Sequence, residues 1–213
     1  IFGVPGFGGE SLKRSLDTAL SLGVQHISAY HLTVEPNTAF GRRAARGQFR
    51  AVDEEVSEAE FLLVHDTLTG AGFEHYEVSN YALPGFRARH NASYWQGVKY
   101  LGIGPAAHSF DANERHWNAS SVEKYIDGAP GGREVLTERD RFNEYVMTAL
   151  RTAEGIGMRE AGARFGTKRT ARIAREAEPF LRAGMLRRTG ERLAVPPERF
   201  LTSDAVIEAF FET

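Results

Sequence analysis

Ile1-Phe2-Gly3-Val4, Pro5-Gly6-Phe7-Gly8-Gly9, the run Glu10 to Leu22 and the run Val24 to Leu32 make up the stretch on which the fold turns. The first four residues form an apolar run of the kind a buried strand needs. The Pro-Gly cluster after them reads as a turn. From Glu10 to Leu22 apolar residues fall at Leu12, Leu16, Ala19 and Leu20, which is helical spacing. Gly23 stands where a helix stop is expected. Val24 to Leu32 then reads as the next strand. Strand, helix, strand over this length is a βαβ unit, which needs a parallel sheet and a right-handed crossover.

The pattern continues outward. Asp53 can cap a second helix running to about Thr69, with Glu54 and Glu55 in its first turn. Gly72 ends it, and Phe73 to Val78 reads as a third strand. This alternation predicts an α/β chain with a full or partial β/α barrel over residues 1–127. Gly128-Ala129-Pro130-Gly131-Gly132 breaks the pattern, so residues 128–136 are expected as a linker or exposed loop. From Thr137 the spacing becomes helical, with Phe142, Tyr145, Val146 and Leu150 on one side. Met158 to Phe165 predicts a second helix, and Thr167 caps a third ending near Gly184. Leu186 to Val195 predicts a hairpin turning at Thr189-Gly190-Glu191. Thr202-Ser203-Asp204 starts a final helix. Three helices and a hairpin predict a small winged-helix-like α+β domain over 137–213.

The 213 residues carry a formal net charge of −2 and 25% charged residues, ordinary for a globular protein and unlike a wholesale nucleic-acid binder. No apolar run approaches the ~20 residues needed to span a bilayer. There is no signal-peptide pattern, and a cytoplasmic location is expected. The chain has no cysteine, which rules out disulfides. It opens on Ile1 inside a strand-like run, and is read as the carboxy-terminal part of a longer protein.

Chemistry concentrates between Tyr76 and Phe110. His90-Asn91-Ala92-Ser93-Tyr94-Trp95 puts an imidazole beside two large rings, with Arg87 and Arg89 before it. Neutral imidazole is a common axial ligand of haem iron. Aromatic faces pack against flat rings, and guanidinium pairs with the carboxylates a porphyrin carries. The same residues fit a plainer role, with His90 bonded to a backbone carbonyl and the aromatics filling core. Gly102-Ile103-Gly104 leaves room for a ligand to approach the backbone, or makes a tight turn. Glu35-Pro36-Asn37-Thr38 reads chiefly as a turn, and Glu77 as a loop anchor. Gly3-Val4-Pro5-Gly6 lacks the Lys-Ser/Thr ending of a phosphate cradle. The terminal region holds a basic run including Lys168, Arg169, Arg172, Arg175, Arg187 and Arg188. It opens a nucleic-acid-binding alternative, against a solvated helix face partly paired with glutamates. No Ser-His-Asp order, zinc-spaced set or paired carboxylates stands out, and no catalytic residue is assigned.

The order of these pieces resembles the radical S-adenosylmethionine proteins related to oxygen-independent coproporphyrinogen oxidase. Within them it is most similar to the branch of HemW-type haem chaperones, whose haem-associated hexapeptide reads His-Asn-x-x-Tyr-Trp. Residues 90–95 match every fixed position, and the resemblance runs from one end of the chain to the other. It implies haem contact by Arg89, His90, Tyr94 and Trp95, with His90 on the iron, and it places Thr33 and His108 at the S-adenosylmethionine pocket. It also implies a 4Fe-4S cluster on three closely spaced thiolates, which would lie before Ile1. The implied work is holding haem and passing it to acceptor proteins, including respiratory or membrane-associated ones, without nucleic acid. The alternative within the family is oxidative decarboxylation of coproporphyrinogen propionates. One departure stands out: the family's strand-to-loop element usually continues with a polar Gln-Thr pair, where Phe7-Gly8-Gly9 stands here.

Overall fold

The structure, a computed structural model, describes all residues from 1 to 213. It divides into two compact units. The first comprises Ile1–Ala88 with Pro196–Leu201, the second Arg89–Val195 with Thr202–Thr213. The boundaries expected from sequence, near residues 127 and 137, do not coincide with this division.

In the first unit, α1 (Gly9–Ser21) leads to β1 (His26–Ser28). Phe2 forms a parallel bridge with His31, its amide donating to the Tyr30 carbonyl at 3.0 Å. The opening segment therefore runs parallel to the chain beyond α1, as a βαβ unit requires. The regular strands are shorter than the apolar runs, since Ile1–Val4 contributes one bridge and Val24–Leu32 only three strand residues. Next comes α2 (Ala39–Ala45), opened by Thr38, whose hydroxyl accepts from the Gly41 amide at 3.1 Å. The chain then enters α3 (Glu54–Gly70). Asp53 holds the N-cap position, but its carboxylate pairs with Arg50 at 2.9 Å and makes no cap bond. Gly23 and Gly72 take positive φ of 66° and 89° at the ends of α1 and α3, where stops were expected.

β2 (Glu74–Glu77) and β3 (Asn80–Ala82) form a hairpin, and the sheet order is β1-β3-β2. β3 is antiparallel to both neighbours, so β1 and β2 run in one direction with a returning strand between them. The alternation read from sequence had no place for this strand. Its three residues Asn80-Tyr81-Ala82 are too few to show a period, yet all three are buried. Phe61, Val64 and Leu68 of α3 fall at helical spacing and pack the core with Phe2, Tyr81 and Phe200.

The second unit begins with α4 (Arg89–Trp95), followed by β4 (His108–Phe110), β5 (Glu114–Trp117), α5 (Val122–Ile126) and β6 (Gly132–Val135). These strands make an antiparallel sheet in the order β4-β5-β6. The segment 128–136, expected as a linker, thus holds a paired strand with Trp117 opposite Gly132. A Cβ on Gly131 would stand 1.6 Å from the Trp117 carbonyl oxygen, and one on Gly132 would stand 2.2 Å from the Trp117 ring. These glycines allow close approach rather than loosening the chain.

Then come α6 (Glu138–Leu150), β7 (Ile156–Gly157), α7 (Met158–Phe165), α8 (Thr167–Arg182), β8 (Arg187–Thr189), β9 (Arg192–Ala194), a 3₁₀ turn over Pro197–Thr202, and α9 (Ser203–Ala209). The sheet order β7-β9-β8 completes a winged-helix arrangement. Thr137 and Asp140 form a capping box at the start of α6, worth about 1 kcal/mol. Gly166, not Thr167, occupies the cap position of α8. Phe142, Val146, Leu150, Ile173, Leu193 and Phe210 are fully buried in this unit.

Much of the basic run is engaged. Arg169 makes a bidentate pair with Glu212 through two bonds of 2.9 Å and a third bond of 2.9 Å to Glu138. Arg172 donates to the Phe210 and Phe211 carbonyls. Together they fasten the C-terminal tail, as a helix face paired with glutamates would. Arg169→Ala is expected to cost about 2 kcal/mol, the loss of charge-assisted bonds at a half-buried site. Urea unfolding checks the magnitude, and faster proteolysis of the last residues checks the place. The Arg169 hydrogen bonds hold the Glu212 carboxyl below its ordinary range. This contribution is therefore intact above the ordinary carboxylate pKa and fades as pH falls through the lowered one.

Candidate functional site

The hexapeptide His90–Trp95 forms nearly all of α4. His90 and Tyr94 lie four residues apart and share one face. Tyr94 Oη stands 3.2 Å from His90 Nε2, and the rings meet edge to face at 5.0 Å. His90 is exposed, and its Nδ1 is left without a protein partner. The Ser93 hydroxyl donates to the His90 carbonyl at 2.6 Å, and the Val98 amide bonds the Ser93 carbonyl as the helix closes. The backbone around the imidazole is thus tied locally, while the imidazole itself reaches solvent. The plainer reading, with His90 bonded to a backbone carbonyl, is not what this geometry has.

Trp95 is half-buried and, five residues beyond His90, is turned about 140° round the helix from it. A flat ligand on the His90–Tyr94 face would meet Trp95 and the exposed Arg89 only at its margins. Arg87 lies over the Tyr76 ring at 5.3 Å and pairs with Glu74 at 2.8 Å. Within the expected haem set the structure therefore brings together His90 and Tyr94, with Arg89 and Trp95 on the flanks.

Thr33 and His108 belong to different units. Thr33 is exposed in the loop after the Phe2–His31 bridge. His108 is exposed on β4, paired across the strands with Trp117 and stacked on its ring at 5.7 Å. The Gly102-Ile103-Gly104 segment differs from its expected role at one position. A Cβ on Gly102 would fall 2.1 Å from the His108 carbonyl oxygen, so the space beside Gly102 is filled by β4 rather than kept for a ligand. Asn118 Nδ2 donates to the Gly102 and Gly104 carbonyls at 3.3 and 2.9 Å, fixing the turn. Glu35 sits in the turn before α2 and is exposed. Glu77 is buried, and its carboxylate accepts from the Ser79 amide at 3.3 Å, a bond that holds the β2–β3 turn itself.

One feature escaped the sequence. A cavity of about 190 Å³ lies within the second unit, lined by Tyr94, Tyr100, Phe110, Arg115, Glu144 and Tyr145 among others. Tyr94 packs edge to face on Tyr100 at 4.8 Å, and Tyr100 lies 5.9 Å from Phe110. Arg115 pairs with Glu144 at 2.8 Å. Burial raises the Tyr145 phenol above its usual range, so it stays neutral. These residues spread from 94 to 164 with no local spacing that would announce a site. Only Tyr94 belongs to a motif, and it joins the cavity to His90.

A 4Fe-4S cluster takes thiolate ligands, which these residues do not contain. The chain does not fit that group, and no step is derived through it. No group of three or more His, Asp or Glu side chains is arranged to hold a metal ion. No helix is long and apolar enough to cross a membrane.

The HemN C-terminal domain matches residues 136–201. Along 97% of its length the chain is 37% identical to the heme chaperone HemW of Mycobacterium tuberculosis, covering 53% of that protein. It is 32% identical over 173 residues to heme chaperone HemW of Bacillus subtilis, a match covering 78% of this chain and 45% of that protein. Among solved structures, coproporphyrinogen III oxidase (HemN) from Escherichia coli, a radical SAM enzyme, matches with a TM-score of 0.74. That match covers 98% of this chain and 53% of HemN at 15% identity, a likeness of fold. The chain spans about half the length of the curated relatives it matches. With the hexapeptide in place on α4 and this likeness along nearly its whole length, the chain belongs to the HemW family.

Proposed function

We propose that this chain is the haem-handling portion of a haem chaperone, with His90 supplying an axial ligand to the iron of its cargo. The observation that carries the reading is an exposed imidazole with one nitrogen fixed by Tyr94 and the other unpartnered. When Tyr94 Oη accepts from Nε2–H, the imidazole lone pair is left on Nδ1. A hydrogen bond at one ring nitrogen selects which nitrogen is free to ligate. The Tyr94 ring gives the tetrapyrrole an aromatic neighbour, and Trp95 and Arg89 stand at the flanks of the same helix. Its HemW relatives, described as heme chaperones, support this reading over a nucleic-acid-binding role.

Haem would pass from α4 to acceptor proteins, respiratory or membrane-associated ones included, in the cytoplasm. S-adenosylmethionine, for which Thr33 and His108 are the candidate contacts, and a 4Fe-4S cluster would belong to a protein of its relatives' full length. An exposed ligand suits transfer, because a partner's own ligand can reach an iron that is not enclosed.

Haem titration of the whole protein tests the assignment. The wild type is expected to give a Soret shift on binding. His90→Ala is expected to abolish the ligation-dependent shift, and Trp95→Phe to weaken binding modestly. An unchanged shift in both variants rejects the role of this helix. Robust formation of protoporphyrinogen by the reconstituted protein would instead favour the alternative of oxidative decarboxylation of coproporphyrinogen.

A further inference from the structure

The cavity beside Tyr94 has two kinds of wall. One is aromatic, built from Tyr94, Tyr100, Phe110 and Tyr145. The other holds three guanidinium groups, Arg115, Arg141 and Arg164, against a single carboxylate, Glu144. Arg115 is neutralised by Glu144 at 2.8 Å. Arg141 donates to the Leu136 carbonyl at 2.9 Å and forms no ion pair. Arg164 rests 5.0 Å from both the Tyr145 and Phe165 rings and reaches Glu160 only at 3.5 Å, with each partner about half exposed. An exposed pair of that kind is weak. Two cationic side chains in the lining therefore keep most of their charge available.

A purely apolar ligand would leave those guanidiniums without a counter-charge. A small inorganic anion would leave the aromatic wall bare. The lining suits a flat ring bearing a carboxylate arm, since guanidinium binds carboxylate in a bidentate fork and ring faces favour edge-to-face or offset neighbours. At about 190 Å³ the space takes one edge of a large planar ligand, not the whole of it. Its position sets which ligand. Tyr94 lines the cavity and also stands 3.2 Å from His90 Nε2. A ligand reaching both would place its centre at the imidazole and its rim in the cavity.

We propose that the cavity is a propionate site: it receives one pyrrole edge of a tetrapyrrole and pairs the carboxylate with Arg141 and Arg164, while His90 addresses the metal. The inference rests on the haem reading above and adds the specificity-determining residues for it. It moves the carboxylate partner away from Arg87, which is committed to Glu74 at 2.8 Å. It also gives Tyr94 two tasks, orienting the imidazole and forming the cavity wall. Tetrapyrroles with free propionates would be held, and those with the arms esterified would be held less well.

The test compares haem with haem dimethyl ester on the whole protein, using wild type, His90→Ala, and the double variant Arg141→Gln/Arg164→Gln. Wild type is expected to bind haem about tenfold or more tightly than the diester, one charge-assisted contact being worth at least that factor. The double variant should lose this preference while keeping the wild-type Soret position, because the iron ligand is untouched. His90→Ala should lose the Soret shift yet still prefer the free acid. If the double variant binds haem as tightly as wild type and the Soret shift still depends on His90, the propionate site is wrong and the haem reading stands. If wild type shows no His90-dependent shift, the haem reading falls and takes this proposal with it. Should the double variant fail to fold, wild type alone decides, and equal affinity for haem and diester overturns the site.

Discussion

Gly155→Ala is expected to destabilise the second unit by about 3 kcal/mol. Gly155 holds a φ of 65°, a left-handed conformation. A side chain there costs about 1–2 kcal/mol from backbone strain alone. The larger difficulty is space. A Cβ would stand 2.1 Å from the Leu193 carbonyl oxygen and 2.6 Å from Ala194 Cα. Both are backbone atoms of β9 and cannot swing aside as a side-chain tip would. Ile156, the next residue, pairs with Leu193 in the sheet, so relief means prising β7 from β9. Overpacking of this sort costs about 1–3 kcal/mol. For a protein of this size the sum lowers the melting temperature by about 10 °C. Gly184→Ala is the control. It has a φ of 68° with nothing within 4 Å of the added carbon, so it carries the strain without the collision. Equal losses for the two variants would show that the close approach of β7 and β9 does not matter.

The first unit should lose about 2 kcal/mol between pH 7 and pH 5 through one histidine. His75 is 4% exposed, stacked on Tyr81 at 4.0 Å and edge-on to Phe200 at 5.1 Å. Its Nδ1 lies 2.9 Å from His65 Nδ1, and its Nε2 has no partner. Burial, with the neighbouring His65 adding to it, lowers the His75 imidazole to about 3. The unfolded chain titrates near the ordinary value of about 6.5. Above that pH both states are neutral and stability is at its fullest. Below it the unfolded chain takes up a proton that the folded one refuses, so stability falls by about 1.4 kcal/mol per pH unit until the folded imidazole also protonates. Burial also raises the Glu77 carboxyl, against hydrogen bonds from Asn80 and Ser79. A raised carboxyl acts in the opposite sense, since the folded state then binds its proton more readily as pH drops. The slope for His75→Leu isolates whatever Glu77 adds, since that carboxyl is present in both proteins. Urea midpoints at pH 7.5, 6 and 5 should slope downward for wild type and flatten for His75→Leu. Parallel slopes would remove His75 as the source.

The parts legible in the sequence share a physical trait: their signal is local and repeated. α1 and α3 show apolar residues at helical intervals and a glycine just beyond the end, and both lie where the spacing puts them. Thr137 announces the start of α6, where it caps the helix, and Asp140 three residues on completes a capping box. The hairpin of β8 and β9 follows its turn. The parts that were not legible depend on partners far along the chain. β3 and β7 are too short to carry a period, and they exist because β1, β2 and β9 supply their hydrogen bonds. Gly131 and Gly132 read as a flexible tether by composition, but Gly132 opens β6 and both admit Trp117. Asp53 was legible as a cap position, yet Arg50 drew its carboxylate away.

The candidate site divides the same way. Sequence alone determined that an imidazole and a phenol stand four residues apart, and a helix then places them on one face whatever surrounds it. It also determined that no thiolate is present, a matter of composition. Tertiary structure decided that His90 is exposed with one nitrogen unpartnered, that Trp95 points elsewhere, and that Tyr94 also walls a cavity with Arg141 and Arg164. Those residues come from separate elements, and only the packing of α4, the β4–β5 hairpin, α6 and α7 within one unit makes them neighbours.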